Sequence, residues 1–131
     1  MPIYTVKVDD DGKQEIWTNS QGNLHREHGP ARILPSGRKE WWRNGNLHRD
    51  SGPAIYDDAG YKSWFVDGLL HNDKGPAIIN SNGIKSWFLK GEELSEAQFL
   101  HRTAPHTITI DGKTISISTE SYEALKESLG I

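Results

Sequence analysis

The sequence predicts a mainly β protein, an antiparallel meander of hairpin repeats followed by a small C-terminal ββα module. Three observations carry this prediction. Leu24-His25-Arg26, Leu47-His48-Arg49 and Leu70-His71-Asn72 recur at a step of 23 residues, and the same step relates Gly29-Pro30-Ala31, Gly52-Pro53-Ala54 and Gly75-Pro76-Ala77. Glycines recur with that period at two turn positions, Gly37, Gly60, Gly83 and Gly45, Gly68, Gly91. Aromatic pairs lie between them: Trp41-Trp42, Trp64-Phe65 and Trp87-Phe88. A fixed period of this kind marks an array in which each unit buries its apolar face against the next. An irregular copy precedes the three, with Tyr4, Gly12, Trp17 and Gly22, and a truncated one follows Gly91.

Within a unit, Pro53 to Asp57 reads as a short strand, with proline where no amide need donate. Asp58-Ala59-Gly60 is a turn. Tyr61 to Asp67 is a second strand, rich in aromatic and β-branched residues. Gly68 opens a connector through Leu70-His71 to Gly75. Two strands per unit give a sheet of roughly six to eight strands, with equivalent residues ~10 Å apart. Trp41, Trp64 and Trp87 should form one column, and Trp42, Phe65 and Phe88 another on the opposite face. Leu24, Leu47 and Leu70 are placed to cover one face. The other needs the C-terminal segment, another chain or a partner.

The pattern changes after residue 93, which divides the chain into a repeat sheet, 1–93, and a cap, 94–131. Ser95-Glu96-Ala97-Gln98 is a capping box that opens a helix through about Leu100, before Pro105. His106 to Ile110 and Lys113 to Ser118 alternate apolar and polar around Asp111-Gly112, a strong hairpin signal. Thr119 is expected to cap a last helix, with Tyr122, Leu125, Lys126 and Leu129 at helical spacing and Gly130 at its end. This module either protects the edge of the repeat sheet or contacts a partner.

Composition narrows the function. The 131 residues are 34% hydrophobic, which supports only a thin core. There is no cysteine, so disulfides and thiolate chemistry are excluded. No leader-like segment or apolar run of ~18 residues is present, so a cytoplasmic protein without membrane contact is expected. The net charge of −3 is mild, but its distribution is uneven. Arg26, Arg32, Arg38, Lys39, Arg43 and Arg49 crowd the first full repeat, whereas Asp9-Asp10-Asp11 and the glutamates from Glu92 onward make both ends acidic. The basic residues read either as cross-strand ion pairs or as a patch for an acidic protein surface or a nucleic-acid backbone. Candidate binding residues are Arg32, Arg38, Lys39, Trp42, Arg43, Phe65 and Phe88.

His25, His48 and His71 belong to the repeat and are expected to serve structure, by hydrogen bonds to backbone. Columns ~10 Å apart do not share one ion, whose ligand bonds are ~2.1 Å, so no metal or other cofactor is expected. His48, Asp50 and Ser51 have the composition of a catalytic triad. The other units replace the serine with His28 or Lys74, and no nucleophile elbow accompanies it, so no catalytic residue is assigned.

The unit Trp-aromatic-x-x-Gly-x-Leu-His-Arg-x-x-Gly-Pro-Ala resembles MORN-like repeats (membrane occupation and recognition nexus), in the variant of small bacterial and bacteriophage proteins. Leu94-Ser95-Glu96-Ala97-Gln98-Phe99-Leu100 is similar to the segment that ends such arrays, so the likeness covers roughly residues 12 to 102. Gly-Pro-Ala stands where standard MORN repeats have Gly-x-Gly, so a phospholipid role is not carried over. The resemblance implies a non-enzymatic binding module. The expected function is occlusion of a host protein, such as a defence nuclease, by a phage-type inhibitor. The alternatives are nucleic-acid or nucleotide binding through the basic repeat, and a self-assembling scaffold in which the chain forms a homo-oligomer.

Overall fold

The computed structural model describes residues 5–8 and 14–130. Tyr4, Gly12 and Asp9-Asp10-Asp11 lie outside the described residues.

The protein is mainly β, with one antiparallel sheet of nine strands and two short helices among the described residues. Strands β1 (Thr5–Val8), β2 (Glu15–Thr18), β3 (Arg32–Ile33) and β4 (Lys39–Glu40) pair in chain order. The chain then leaves the sheet for a side hairpin, β5 (Trp42–Arg43) with β6 (Asn46–Leu47), and returns as β7 (Ile55–Tyr56) beside β4. The next unit repeats the path. It pairs β7 with β8 (Lys62–Ser63), makes a side hairpin of β9 (Phe65–Val66) and β10 (Leu69–Leu70), and returns as β11 (Ile78–Ile79) beside β8. Strand β12 (Lys85–Leu89) pairs with β11 through Lys85 and Ser86, and with β13 (Glu92–Leu94) through Trp87 to Leu89.

Two expectations are corrected. The 23-residue units that begin at Arg32 and at Ile55 each have a second hairpin, so four short strands rather than two, and the sheet has nine strands rather than six to eight. The single strand expected over 61–67 is β8 and β9, parted at Trp64, and the connector expected from Gly68 begins with the return strand β10. The cause is a fork in the backbone bonding. Trp64 N–H donates to Ala77 O of the next unit at 2.8 Å, while Trp64 O accepts from His71 N–H at 3.0 Å. Trp41 divides its bonds in the same way between Ala54 and His48. The side turns close because Asn44-Gly45 and Asp67-Gly68 hold positive φ at both positions, 48° and 84°, 49° and 82°. That is the type I′ geometry matching strand twist.

The irregular first copy has a local explanation. Trp17 N–H donates to Ala31 O at 2.7 Å, as Trp41 does to Ala54. Its side turn, Asn19 to Asn23, is one residue longer than the later ones, so eight positions rather than seven separate Trp17 from His25.

The core is thin, as the composition requires. Ala31, Ala54 and Ala77 are wholly buried, and Ile55 and Leu94 are nearly so. The six aromatics of the two expected columns are all half-buried, so neither column is left bare. Exposed large apolar side chains lie elsewhere and include Leu69, Ile84, Ile110, Ile115 and Leu129.

The chain divides into two compact units, 1–94 and 95–131. The second opens on α1 (Glu96–Thr103), where Ser95 and Gln98 form the reciprocal capping box. The helix runs three residues beyond Leu100 and ends at Ala104, which is extended as the residue before a proline should be. Strands β14 (His106–Ile110) and β15 (Lys113–Ile117) pair around Asp111-Gly112. Helix α2 (Thr119–Leu129) is capped by Ser118, not by Thr119 as expected. Ser118 is extended and its Oγ accepts from Ser121 N–H at 3.1 Å, whereas Thr119 is already helical. Gly130 ends the helix at φ 69°. His106 stacks flat on Tyr122 with ring centroids 4.1 Å apart.

Candidate interaction surface

The repeated histidines are clasps between units. Nδ1 of His25, His48 and His71 accepts the backbone N–H of Asn44, Asp67 and Lys90 at 2.9, 3.0 and 2.9 Å. Each donor opens the side turn of the following unit, so the bond ties one unit to the next. Two backbone bonds flank each clasp, for example Gly68 N–H to Leu47 O at 2.9 Å and Arg49 N–H to Phe65 O at 3.2 Å.

His48 shows what this means chemically. Its Nδ1 also lies 3.3 Å from the Asp67 carboxylate, which would suit a proton on that nitrogen. The equivalent donors to His25 and His71 are Asn44 and Lys90, which lack a carboxylate, so the recurrent bond needs only the Nδ1 lone pair. The hydrogen-bond network therefore assigns the proton to Nε2, which donates to Asp50 Oδ1 at 2.7 Å. Arg43 Nη1, 3.1 Å from Nε2, is held there by its own bond to Asp50 Oδ2 at 3.0 Å. Both ring nitrogens are engaged, and none is left to act on Ser51.

The His48 hydrogen bond, then the hydrogen bond and charge of Arg43, hold the Asp50 carboxyl below its ordinary range. A lowered folded-state pKa gives stability that is present above the unfolded value of ~3.9 and is lost as pH falls through the folded one. Asp50→Asn is therefore expected to shrink the loss of stability between about pH 5 and about pH 2.5, read by urea unfolding at the two pH values. Asp50 is largely exposed, so the change should be small.

The basic residues of the first full repeat are brought together in part. Arg32 faces Glu40 directly across β3 and β4. Glu40 is buried, and its carboxylate accepts from Arg38 Nε at 3.0 Å, Trp42 Nε1 at 3.1 Å and Arg32 Nη1 at 3.5 Å. Arg43 belongs to the separate Asp50 and His48 group, and Lys39 Nζ lies 5.6 Å from the Tyr56 ring centre. Phe65 and Phe88 sit half-buried in β9 and β12, apart from this cluster in the chain. Glu40 was not singled out by the sequence. Only the register places it under the two arginines.

The Leu-His-Arg-x-x-Gly-Pro-Ala motif has a direct physical content. The Arg26 guanidinium lies 3.9 Å from the Trp17 ring centre, and Arg49 lies 3.9 Å from that of Trp41. Each also donates to a proline carbonyl, Arg26 to Pro30 at 3.3 Å and Arg49 to Pro53 at 3.1 Å. Asn72 replaces the arginine in the third unit and keeps the bond to Pro76 O at 2.9 Å. The motif glycine makes room for the guanidinium. A Cβ on Gly29 would stand 2.8 Å from Arg26 Cζ and Nε, whereas one on Gly75 would meet only Asn72 Nδ2 at 3.8 Å. Gly29→Ala should therefore cost about 1–2 kcal/mol, through the displaced stack and hydrogen bond. Gly75→Ala should be neutral or stabilise by up to ~1 kcal/mol through the unfolded chain. Paired urea titrations check both.

Three cavities lined by described residues lie on this surface. One follows Val66, Leu69 and His71 and has a volume of about 270 Å³. The other two occupy equivalent places in successive units and measure about 90 and 430 Å³. Among the described residues, no three acidic or histidine side chains are arranged to hold a metal ion, and no helix is long and apolar enough to cross a membrane. No protein-family model, curated protein or solved structure matches the chain.

Proposed function

We propose that this chain is a non-enzymatic protein-binding module built on MORN-like hairpin repeats, which docks on a host protein and occludes it. The observation that carries the reading is the regularity of the clasps. Three histidine bonds of 2.9 to 3.0 Å fasten consecutive units, giving a preformed surface that loses little freedom on binding. Arg32, Arg38 and Arg43 keep 38 to 46% of their side-chain surface open above it, with Trp42 alongside. Partly exposed arginines next to aromatic rings are the residue types that dominate protein interfaces.

Nucleic acid is the less favoured partner. Arg32 and Arg38 share the single Glu40 carboxylate and Arg43 pairs with Asp50, so a phosphate backbone would have to compete with existing partners. The test is affinity capture from bacterial lysate with the chain as bait. The expected result is one specific host protein, such as a nuclease, whose activity is lost at a one-to-one ratio. Recovery of nucleic acid alone, released steeply by salt, would replace this reading with the nucleic-acid one.

A further inference from the structure

We infer that the groove around Trp64 takes an arginine side chain from a protein partner. The repeat supplies its own template. In the two preceding units a guanidinium of the chain lies 3.9 Å from the ring centre of Trp17 or Trp41. The third unit has asparagine at that position, so no cation of the described residues stacks on Trp64.

The two equivalent cavities show the consequence. Around Trp41 the groove is lined by Arg43, Arg49, Asp50 and Ser51 and measures about 90 Å³. Around Trp64 the corresponding residues are Val66, Asn72, Asp73 and Lys74, and it measures about 430 Å³. Two arginines have given way to shorter side chains, and the space they filled stands open. Gly75 keeps the clearance that a guanidinium requires, although Asn72 does not use it.

The chemistry of the lining selects the occupant. The indole face attracts a cation, and a flat guanidinium stacks on it better than an ammonium does. Asp73 stands where Asp50 binds Arg43 one unit earlier, and so offers a carboxylate to the incoming group. Lys74 and Arg49, also in the lining, are the opposing charges, and Arg49 is already stacked on Trp41. The inference rests on the protein-binding reading for the source of the arginine, not for the chemistry of the groove.

The experiment titrates the intact chain with the blocked tripeptide Gly-Arg-Gly and with its lysine counterpart, following indole N–H signals by NMR. Trp64→Phe assigns the signal of Trp64. The arginine peptide should shift that signal saturably in the roughly millimolar range that a single side chain reaches. The lysine peptide should bind several-fold more weakly. Asn72→Arg restores the internal guanidinium, and Val66→Arg restores the partner of the acidic residue. Each should weaken peptide binding at least about tenfold. Val66 is partly exposed, so its variant tests the groove even where Asn72→Arg disturbs folding. No saturable shift at Trp64, equal binding of the lysine peptide, or undiminished binding by both variants would overturn the inference. If the peptide arm fails while lysate capture succeeds, the groove assignment falls and the protein-binding reading stands.

Discussion

His48→Ala is expected to destabilise the repeat unit by about 2–4 kcal/mol, because it removes a buried acceptor that no water readily replaces. His48 is 8% exposed, and three groups depend on it: the Asp67 N–H, the Asp50 carboxylate and the fit between neighbouring side turns. An array held by contacts between nearest neighbours is weakest where one such contact is lost. Urea unfolding of the variant should therefore show a lower midpoint and a shallower transition, as the two sides of the missing clasp separate. His71→Ala should cost less, about 1–2 kcal/mol, because its ring is half-buried and its bond from Lys90 N–H lies exposed, whereas the Asp67 bond to His48 is partly buried. Hydrogen exchange distinguishes a local clasp from a general packing loss. In His48→Ala the Asp67 amide should lose protection first, while that of Lys90 keeps it. Uniform loss across both amides would show that the histidine acts by volume alone.

What the sequence reveals of this fold depends on whether a feature is local. The 23-residue period is visible because short identical motifs recur, and the Gly60 and Gly83 turns, the Ser95 and Gln98 box and the Asp111-Gly112 hairpin rest on residues within a few positions of one another. The side hairpins were hidden although Asn44-Gly45 and Asp67-Gly68 are strong turn signals. Their return strands are two residues long and so carry no alternation to read. Trp41 and Trp64 also look like the middle of a strand, and only the split of their backbone bonds shows that the sheet forks there. The candidate surface is less legible for the same reason. The arginine-rich stretch is visible as composition. The burial of Glu40 beneath it is a matter of register, and the open groove at Trp64 emerges only from comparing the space around equivalent residues.

Glu40→Ala should cost about 2–3 kcal/mol, less than the roughly 3–5 kcal/mol of a fully buried ion pair, since Arg32 and Arg38 still reach water. The repeats themselves specify the repair. Where one unit has Arg32, Glu40 and Trp42, the next has Ile55, Ser63 and Phe65, and the one after it has Ile78, Ser86 and Phe88. The cross-strand pairing is the same in all three: Arg32 with Glu40, Ile55 with Ser63, Ile78 with Ser86. The triple variant Arg32→Ile, Glu40→Ser, Trp42→Phe should therefore lie within about 1 kcal/mol of the parent, because an apolar set replaces the charges together. Double-mutant cycles by urea unfolding measure the coupling, and additive single effects would show that the three side chains do not act as a unit. The same variant separates fold from function. It retains the sheet but deletes the polar edge of the first full repeat, leaving Arg38 without its carboxylate. If that edge meets the partner, the triple variant should unfold like the parent yet recover none of the captured protein. If capture persists undiminished, the contact lies elsewhere on the array.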